Sequence, residues 1–210
     1  MKYKIDPQDS EREEAFELWM ESPMPMVTLT KTFDITKVVK LSKKKKLKFN
    51  MLLCWCIATA ASEIKEFYTQ PIKGELYRFD QIAISIIVNN IKGGISSCDL
   101  PYKGDFERFN SDYNRMTKEV SSKCINIDDE ESAVIGTSAV ISTELDSIVN
   151  QYTHLFTNPM IMWGKYRKGL FKITLPISFQ FHHVQMDGGH AANFFEILQK
   201  KLDNVSKSII

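Results

Sequence analysis

Two periodicities in the apolar positions set the expected architecture. From residue 51 to 61 nearly every position is apolar or small, through Met51-Leu52-Leu53-Cys54-Trp55-Cys56-Ile57-Ala58 to Ala61, ending at Ser62-Glu63, which predicts a buried helix within a helical span of about 49–67. Residues 191–202 place Phe194, Phe195, Ile197 and Leu198 on one side, the 3.6-residue period of an amphipathic closing helix. At 81–89 the period is two, with Ile82, Ile84, Ile86 and Val88 sharing a face; together with 76–79 this stretch predicts a hairpin. Strands are also expected at 27–33, 133–142 and 171–181, the last two apolar enough to be buried on one or both faces. Polar and acidic residues start a first helix over 9–19, Asp34-Ile35-Thr36 caps a second through Leu41, and a third is expected over 113–120. The lysine run 43–46 and the acid-rich stretch 121–132 read as loops. Helices and strands interleave without strict alternation, which argues for an α/β sandwich of two layers.

Composition narrows the partners more than the fold. The 210 residues fit a single domain over 1–210, are 43% hydrophobic and 25% charged, and carry a formal charge of +1. Nothing in that balance supplies a nucleic-acid footprint. No apolar run is long enough to cross a membrane, and Met1-Lys2-Tyr3-Lys4-Ile5-Asp6-Pro7 lacks the apolar core of a signal peptide. A cytoplasmic location and a small, uncharged or weakly charged partner are therefore expected. Cys54 and Cys56 lie two apart in the apolar helix and, with Cys98 and Cys124, are expected to be free thiols rather than metal ligands.

One segment carries chemistry. Phe179-Gln180-Phe181-His182-His183 ends a strand, and Asp187-Gly188-Gly189 turns into the last helix. A histidine held at the end of a buried strand, screened from water, can accept a proton from an alcohol. Asp187 could orient the imidazole, as the acid of a nucleophile triad does. No Gly-x-Ser-x-Gly element accompanies it, so the histidine is expected to act directly on bound substrate. The alternative of two core histidines bonded to backbone carbonyls also fits the pattern.

The run Gln180-Phe181-His182-His183-Val184-Gln185-Met186-Asp187-Gly188 resembles the signature of the chloramphenicol acetyltransferase family, His-His-x-x-x-Asp-Gly preceded by Gln-x. Arg12-Glu13-Glu14-Ala15-Phe16, Asp34-Ile35-Thr36, Lys46-Leu47-Lys48-Phe49, Glu66-Phe67, Gly74-Glu75-Leu76, Phe79-Asp80, Pro159 and Gly164-Lys165-Tyr166 extend the likeness over nearly the whole chain. The resemblance implies a two-layer α/β sandwich with a mixed β-sheet, the fold of CoA-dependent acyltransferases. It also implies a homotrimer with each active site at a subunit interface, and acetyl-CoA as acyl donor, with no metal. By the same resemblance His183 is the general base, and Ser138 in Thr137-Ser138-Ala139 donates to the oxyanion. Asp187 pairs with Arg12 to hold the loop, revising its first assignment, and Gly188 completes the motif. Lys48, Lys165 and Tyr166 fall where the family meets coenzyme A.

Departures fall mostly around the acceptor. Val140-Ile141-Ser142 replaces the Pro-Trp that follows the family's serine, Met162 replaces a threonine, and Tyr68 an arginine. Where family members present an aryl-binding surface, this chain has Met26-Val27, Ile86-Ile87-Val88-Asn89-Asn90 and Gly93-Gly94-Ile95-Ser96-Ser97. Trp19, Met24 and Met26 could line a differently shaped pocket. The expected function is acetyl transfer from acetyl-CoA to a hydroxyl of chloramphenicol or a related small molecule, a form of antibiotic resistance. A CoA-binding homologue that has lost turnover and acts as a sensor is the alternative. A metal site of His182, His183, His190 and Asp187 is disfavoured because adjacent strand residues point to opposite faces.

Overall fold

The computed structural model describes residues 1–209. Ten strands and five α-helices follow in the order β1 (Lys2–Ile5), α1 (Glu13–Trp19), β2 (Met26–Asp34), α2 (Thr36–Lys45), α3 (Phe49–Ala61), β3 (Thr69–Ile72), β4 (Glu75–Phe79), β5 (Ile82–Asn89), β6 (Ile95–Pro101), α4 (Phe106–Lys123), β7 (Ala133–Val140), β8 (Met160–Gly164), β9 (Arg167–Lys168), β10 (Ile173–His182) and α5 (Gly188–Asn204). Short 3-10 turns at Pro7–Asp9 and Lys65–Tyr68 join them.

The large sheet runs β2-β10-β8-β7-β5-β6, with β9 on β10, and a small sheet runs β1-β4-β3. In the large sheet β7 is parallel to both β5 and β8 while the other pairings are antiparallel. The sheet is therefore mixed, as expected. Helices cover one face. Along β10 the odd residues Ile177, Phe179 and Phe181 are fully buried, and Phe179 packs on Phe67, Phe194 and Phe195 of the helical layer. The even residues face the other way: Ser178 Oγ meets Thr30 Oγ1 at 2.9 Å and accepts from the N–H of Ile148, while Gln180 Oε1 accepts from the N–H of Asn150. Segment 141–159 thus lies over the open face. Helix α3, with ten of its thirteen residues buried, forms the centre of the core.

Several boundaries differ from expectation. The lysine run 43–46 is not a loop; Lys43, Lys44 and Lys45 form the last turn of α2, and Lys46 closes it at φ 55°. Cationic side chains suit the negative end of a helix dipole, so the charge run extends the helix instead of ending it. The helix over 49–67 stops at Ala61, where the chain turns through Ser62 and a 3-10 turn. The expected hairpin does not form, because β4 pairs with β1 and β3 in the small sheet. The partner of β5 is β6, across a turn in which Asn90 Oδ1 accepts from Lys92 and Gly94 N–H and Gly93 adopts φ +82°. Helix α4 begins earlier than 113, capped by Asp105 on Arg108 N–H. No helix of the described residues is long and apolar enough to cross a membrane.

Candidate active site

Strand β10 delivers His182 and His183 to the edge of the molecule, and three elements hold the loop that follows. The N–H of His183 donates to Pro25 O at 2.8 Å, just before β2. From the start of α1, Arg12 reaches across the chain with three donors: Nη2 to His183 O at 2.6 Å, Nε to Val184 O at 3.0 Å, and Nη1 to Asp187 Oδ2 at 3.2 Å. Asp187 in turn caps α5, its Oδ1 accepting from Gly189 N–H at 2.9 Å and His190 N–H at 3.3 Å, while its own N–H donates to His190 Nδ1. The other imidazole nitrogen of His190 lies 3.4 Å from Glu66. Burial pushes the Asp187 carboxyl up, but the His190 N–H bond, the His190 and Arg12 charges and the Gly189 bond outweigh it, and its pKa is lowered. The aspartate touches Arg12 and the helix end, and the imidazole of His183 is not among its partners.

The half-buried ring of His183 stacks on Trp19 at 4.9 Å with an interplanar angle of 1°. Its Nδ1 is sealed from solvent without a hydrogen-bond partner among the described residues. Of the two nitrogens, Nε2 is the one left open to a ligand. His182 differs: it is 1% exposed, its Nδ1 accepts from Val184 N–H, and burial together with the neighbouring His183 lowers its pKa to about 4. Gly188 opens α5 with free space where a Cβ would sit, so no local crowding demands glycine. Among the described residues no group of three or more His, Cys, Asp or Glu could hold a metal ion.

The remaining candidates lie at the opposite end of the sheet. Ser138 on β7 is in register with Met162 on β8, which is in register with Ser178 on β10. Five residues separate Ser178 from His183, so Ser138 stands roughly 17 Å back along the strands and about 10 Å across two strand spacings. One chain's Ser138 therefore cannot reach its own His183. Lys48, Lys165 and Tyr166 gather at the Ser138 end: Phe49, next to Lys48, packs edge-on against Tyr166 at 5.5 Å, and Lys165 N–H donates to Thr143 O. Lys48 caps no helix amide with its side chain, and its ammonium lies 5.6 Å from the Tyr113 ring. The apolar periodicity of the sequence does not single out Trp19, whose stacking on His183 depends on α1 lying beside the loop.

A clamped histidine leaves the end of β10, one strand in from the β2 edge of a mixed sheet backed by helices. A family model for chloramphenicol acetyltransferase matches residues 1–199; the chain belongs to that family and is an acyltransferase, with the fold of CoA-dependent acyltransferases. It is similar to the chloramphenicol acetyltransferases of Clostridium butyricum (30% identical over 204 residues, covering 93% of this chain and 92% of that one) and Clostridium perfringens (29% over 209 residues, 95% and 94%). Among solved structures, a chloramphenicol acetyltransferase superposes with a TM-score of 0.77 at 21% identity, over 96% of this chain and 98% of the other. The cubic core of a pyruvate dehydrogenase multienzyme complex matches at 0.65 and 19%, over 95% and 88%; both likenesses concern the fold.

Proposed function

We propose that this chain moves an acetyl group from acetyl-CoA to a hydroxyl of chloramphenicol or a related small molecule, with His183 as general base. The observation that carries the reading is the clamped loop, which fixes the His183 ring against Trp19 with Nε2 open. In the step, Nε2 takes the hydroxyl proton as the oxygen attacks the thioester carbonyl, and the C–S bond then breaks to release CoA, whose sulfur receives the proton. Stacking on the indole favours the imidazolium that forms in between, an effect worth about 0.5–2 kcal/mol. Ser138 is the proposed donor to the tetrahedral oxyanion, a role typically worth about 3–4 kcal/mol of barrier. Lys48, Lys165 and Tyr166 would hold the nucleotide end of coenzyme A, the lysines against phosphate and the aromatic ring against adenine.

The separation of Ser138 from His183 within one chain supports an assembly in which a second copy completes each site, and a cytoplasmic homotrimer is the proposed form. A CoA-binding homologue without turnover is the second reading, favoured by Met162, which is buried beside Ser138 in register. The experiment is release of free thiol from acetyl-CoA with and without chloramphenicol, in wild type and in His183→Ala. Release that needs both His183 and a hydroxyl acceptor supports the transferase. Full activity of His183→Ala refutes the mechanism, and no release with any acceptor moves the reading to the binding module.

A further inference from the structure

We propose that the acceptor carries a protonated amine beside the hydroxyl it offers, and that Asp99 anchors that amine in a cavity on the open face of the large sheet. The inference rests on the transferase reading and adds the acceptor's charge to it. A cavity of about 620 Å³ lies between β5–β8 and the 150–158 segment, a volume within the range of sites for drug-sized ligands. Ser85, Ser97, Asp99 and Thr137 line it. Its far end reaches Met26, which stands opposite His182 in the β2–β10 register. Asp99, level with Ser85, Gly136, Met160 and Gln180, lies four strand spacings from β10 and roughly 20 Å from its own chain's His183, so an acceptor held at Asp99 meets the histidine of the second copy that completes the site.

The lining has a definite sign. Four carboxylates, Asp99, Asp128, Asp129 and Glu130, face it against two ammoniums, Lys2 and Lys73. Lys2 is turned to the rings of Tyr77 at 4.7 Å and Phe79 at 5.7 Å, and Asp99 has no ion-pair partner among the described residues. Asp99 is only 8% exposed. One of its oxygens accepts from Asp129 N–H at 3.1 Å, and burial raises its pKa despite the Ser85 and Asp129 hydrogen bonds. A buried carboxylate without a cation is costly, and a cation brought beside it removes that cost.

A second group points to the same ligand. Gln70 is 4% exposed and lines the cavity. Its Nε2 donates to Val134 O at 2.8 Å, which leaves Oε1 without a protein donor among the described residues, though not sealed from solvent. An amide oxygen open to the cavity and a nearly buried carboxylate, both acceptors, suit a ligand rich in N–H donors. An ammonium supplies three. A neutral aryl acceptor finds little here, since the aromatic lining is Phe79 and the exposed Phe156.

Pairs that differ by acylation of one amine, and so by the presence of its charge, test the assignment in the intact chain, with the Asp99 variant separating charge from size. One pair is chloramphenicol and the free-amine diol left when its dichloroacetyl group is removed; the other is N-acetylglucosamine and glucosamine. Binding by calorimetry and O-acetyl product formation from acetyl-CoA are both measured. The free amine is expected to bind at least tenfold tighter than its neutral partner in one pair or both, and to be acetylated on oxygen. Asp99→Asn, which keeps the bond from Asp129 N–H, should collapse the preference toward unity. No preference in either pair, or a preference that survives Asp99→Asn, overturns the proposal. His183-dependent transfer to neutral acceptors alone would refute it and leave the transferase standing. Amine binding with no His183-dependent transfer would refute the transferase, and with it the amine's place as acceptor.

Discussion

The carboxylate of Asp187 is the perturbation that separates loop-holding from direct action on the imidazole. It caps α5 through two backbone N–H groups and pairs with Arg12. Truncation to alanine loses a cap worth about 1 kcal/mol and an ion pair worth about 0.5 kcal/mol, kept small because the Asp187 side chain is 42% exposed. The total of about 1.5 kcal/mol corresponds to a fall of about 3–6 °C in Tm for a chain of this size. Asparagine caps as well as aspartate and can still accept from Arg12, so Asp187→Asn should cost less than about 0.5 kcal/mol. The loop carries His183, and a displacement of about 1 Å costs about 100-fold in rate. Asp187→Ala is therefore expected to lose about 100-fold in kcat for thiol release and Asp187→Asn no more than about tenfold. Thermal unfolding by circular dichroism and thiol release with a chromogenic reagent give both quantities. Equal losses of kcat in the two variants, with Tm unchanged, would refute the reasoning and return the charge to the imidazole.

Four further outcomes follow from the same geometry. Trp19→Leu removes the stacked indole and should cost about 1 kcal/mol of barrier, roughly fivefold in kcat, while Trp19→Phe recovers most of it. His182 has a folded pKa of about 4 against an ordinary 6.5; its contribution is fully present above pH 6.5 and is lost as pH falls toward 4. A His182→Gln protein should lack that loss, up to about 3 kcal/mol in denaturant titrations across the window. Gly136→Ala places a Cβ 2.0 Å from Met160 Sδ; both residues line the cavity, and the shift should raise KM for the acceptor and leave that for acetyl-CoA unchanged. Burial pushes the thiols of Cys54 and Cys56 up to about 12 and that of Cys98 to about 11, so a thiol reagent should find only Cys124 quickly in the native chain and all four after denaturation.

The sequence was most legible where one residue type decides the outcome. The all-apolar stretch of α3, the apolar run that becomes β10 and the Asp-Gly turn into α5 each announce an element, and each forms. Pairing is not local, and there the reading failed. Residues 75–79 and 82–89 are adjacent and both strand-like, yet Leu76 pairs with Ile5 and Pro71 while Ile84 pairs with Leu100 and Ile135. Only the whole set of strands decides such competition. Short strands were lost for a related reason: β1 and β8 have four and five residues, too few for a period to show. In the site, the histidine motif could be read directly, whereas the Trp19 stack and the 20 Å-scale separation of Ser138 from His183 exist only once register is known.

That separation also explains how the chain could keep one chemistry while changing its acceptor. The histidine loop hangs on Arg12, Pro25 and the start of α5. The charged side of the cavity belongs to other elements, with Asp99 on β6, Gln70 on β3 and the acids 128–130 in the segment before β7. None of these residues bonds to the loop, so substitutions there leave the clamp untouched, and energetic effects at such unlinked sites add nearly independently. On the proposed reading, an acidic floor in place of an aryl one would alter which hydroxyl is presented to Nε2 without altering how Nε2 is held. The two variants Asp99→Asn and Asp187→Ala should accordingly combine additively in kcat/KM for a cationic acceptor, and strong coupling between them would mean that cavity and loop are one unit.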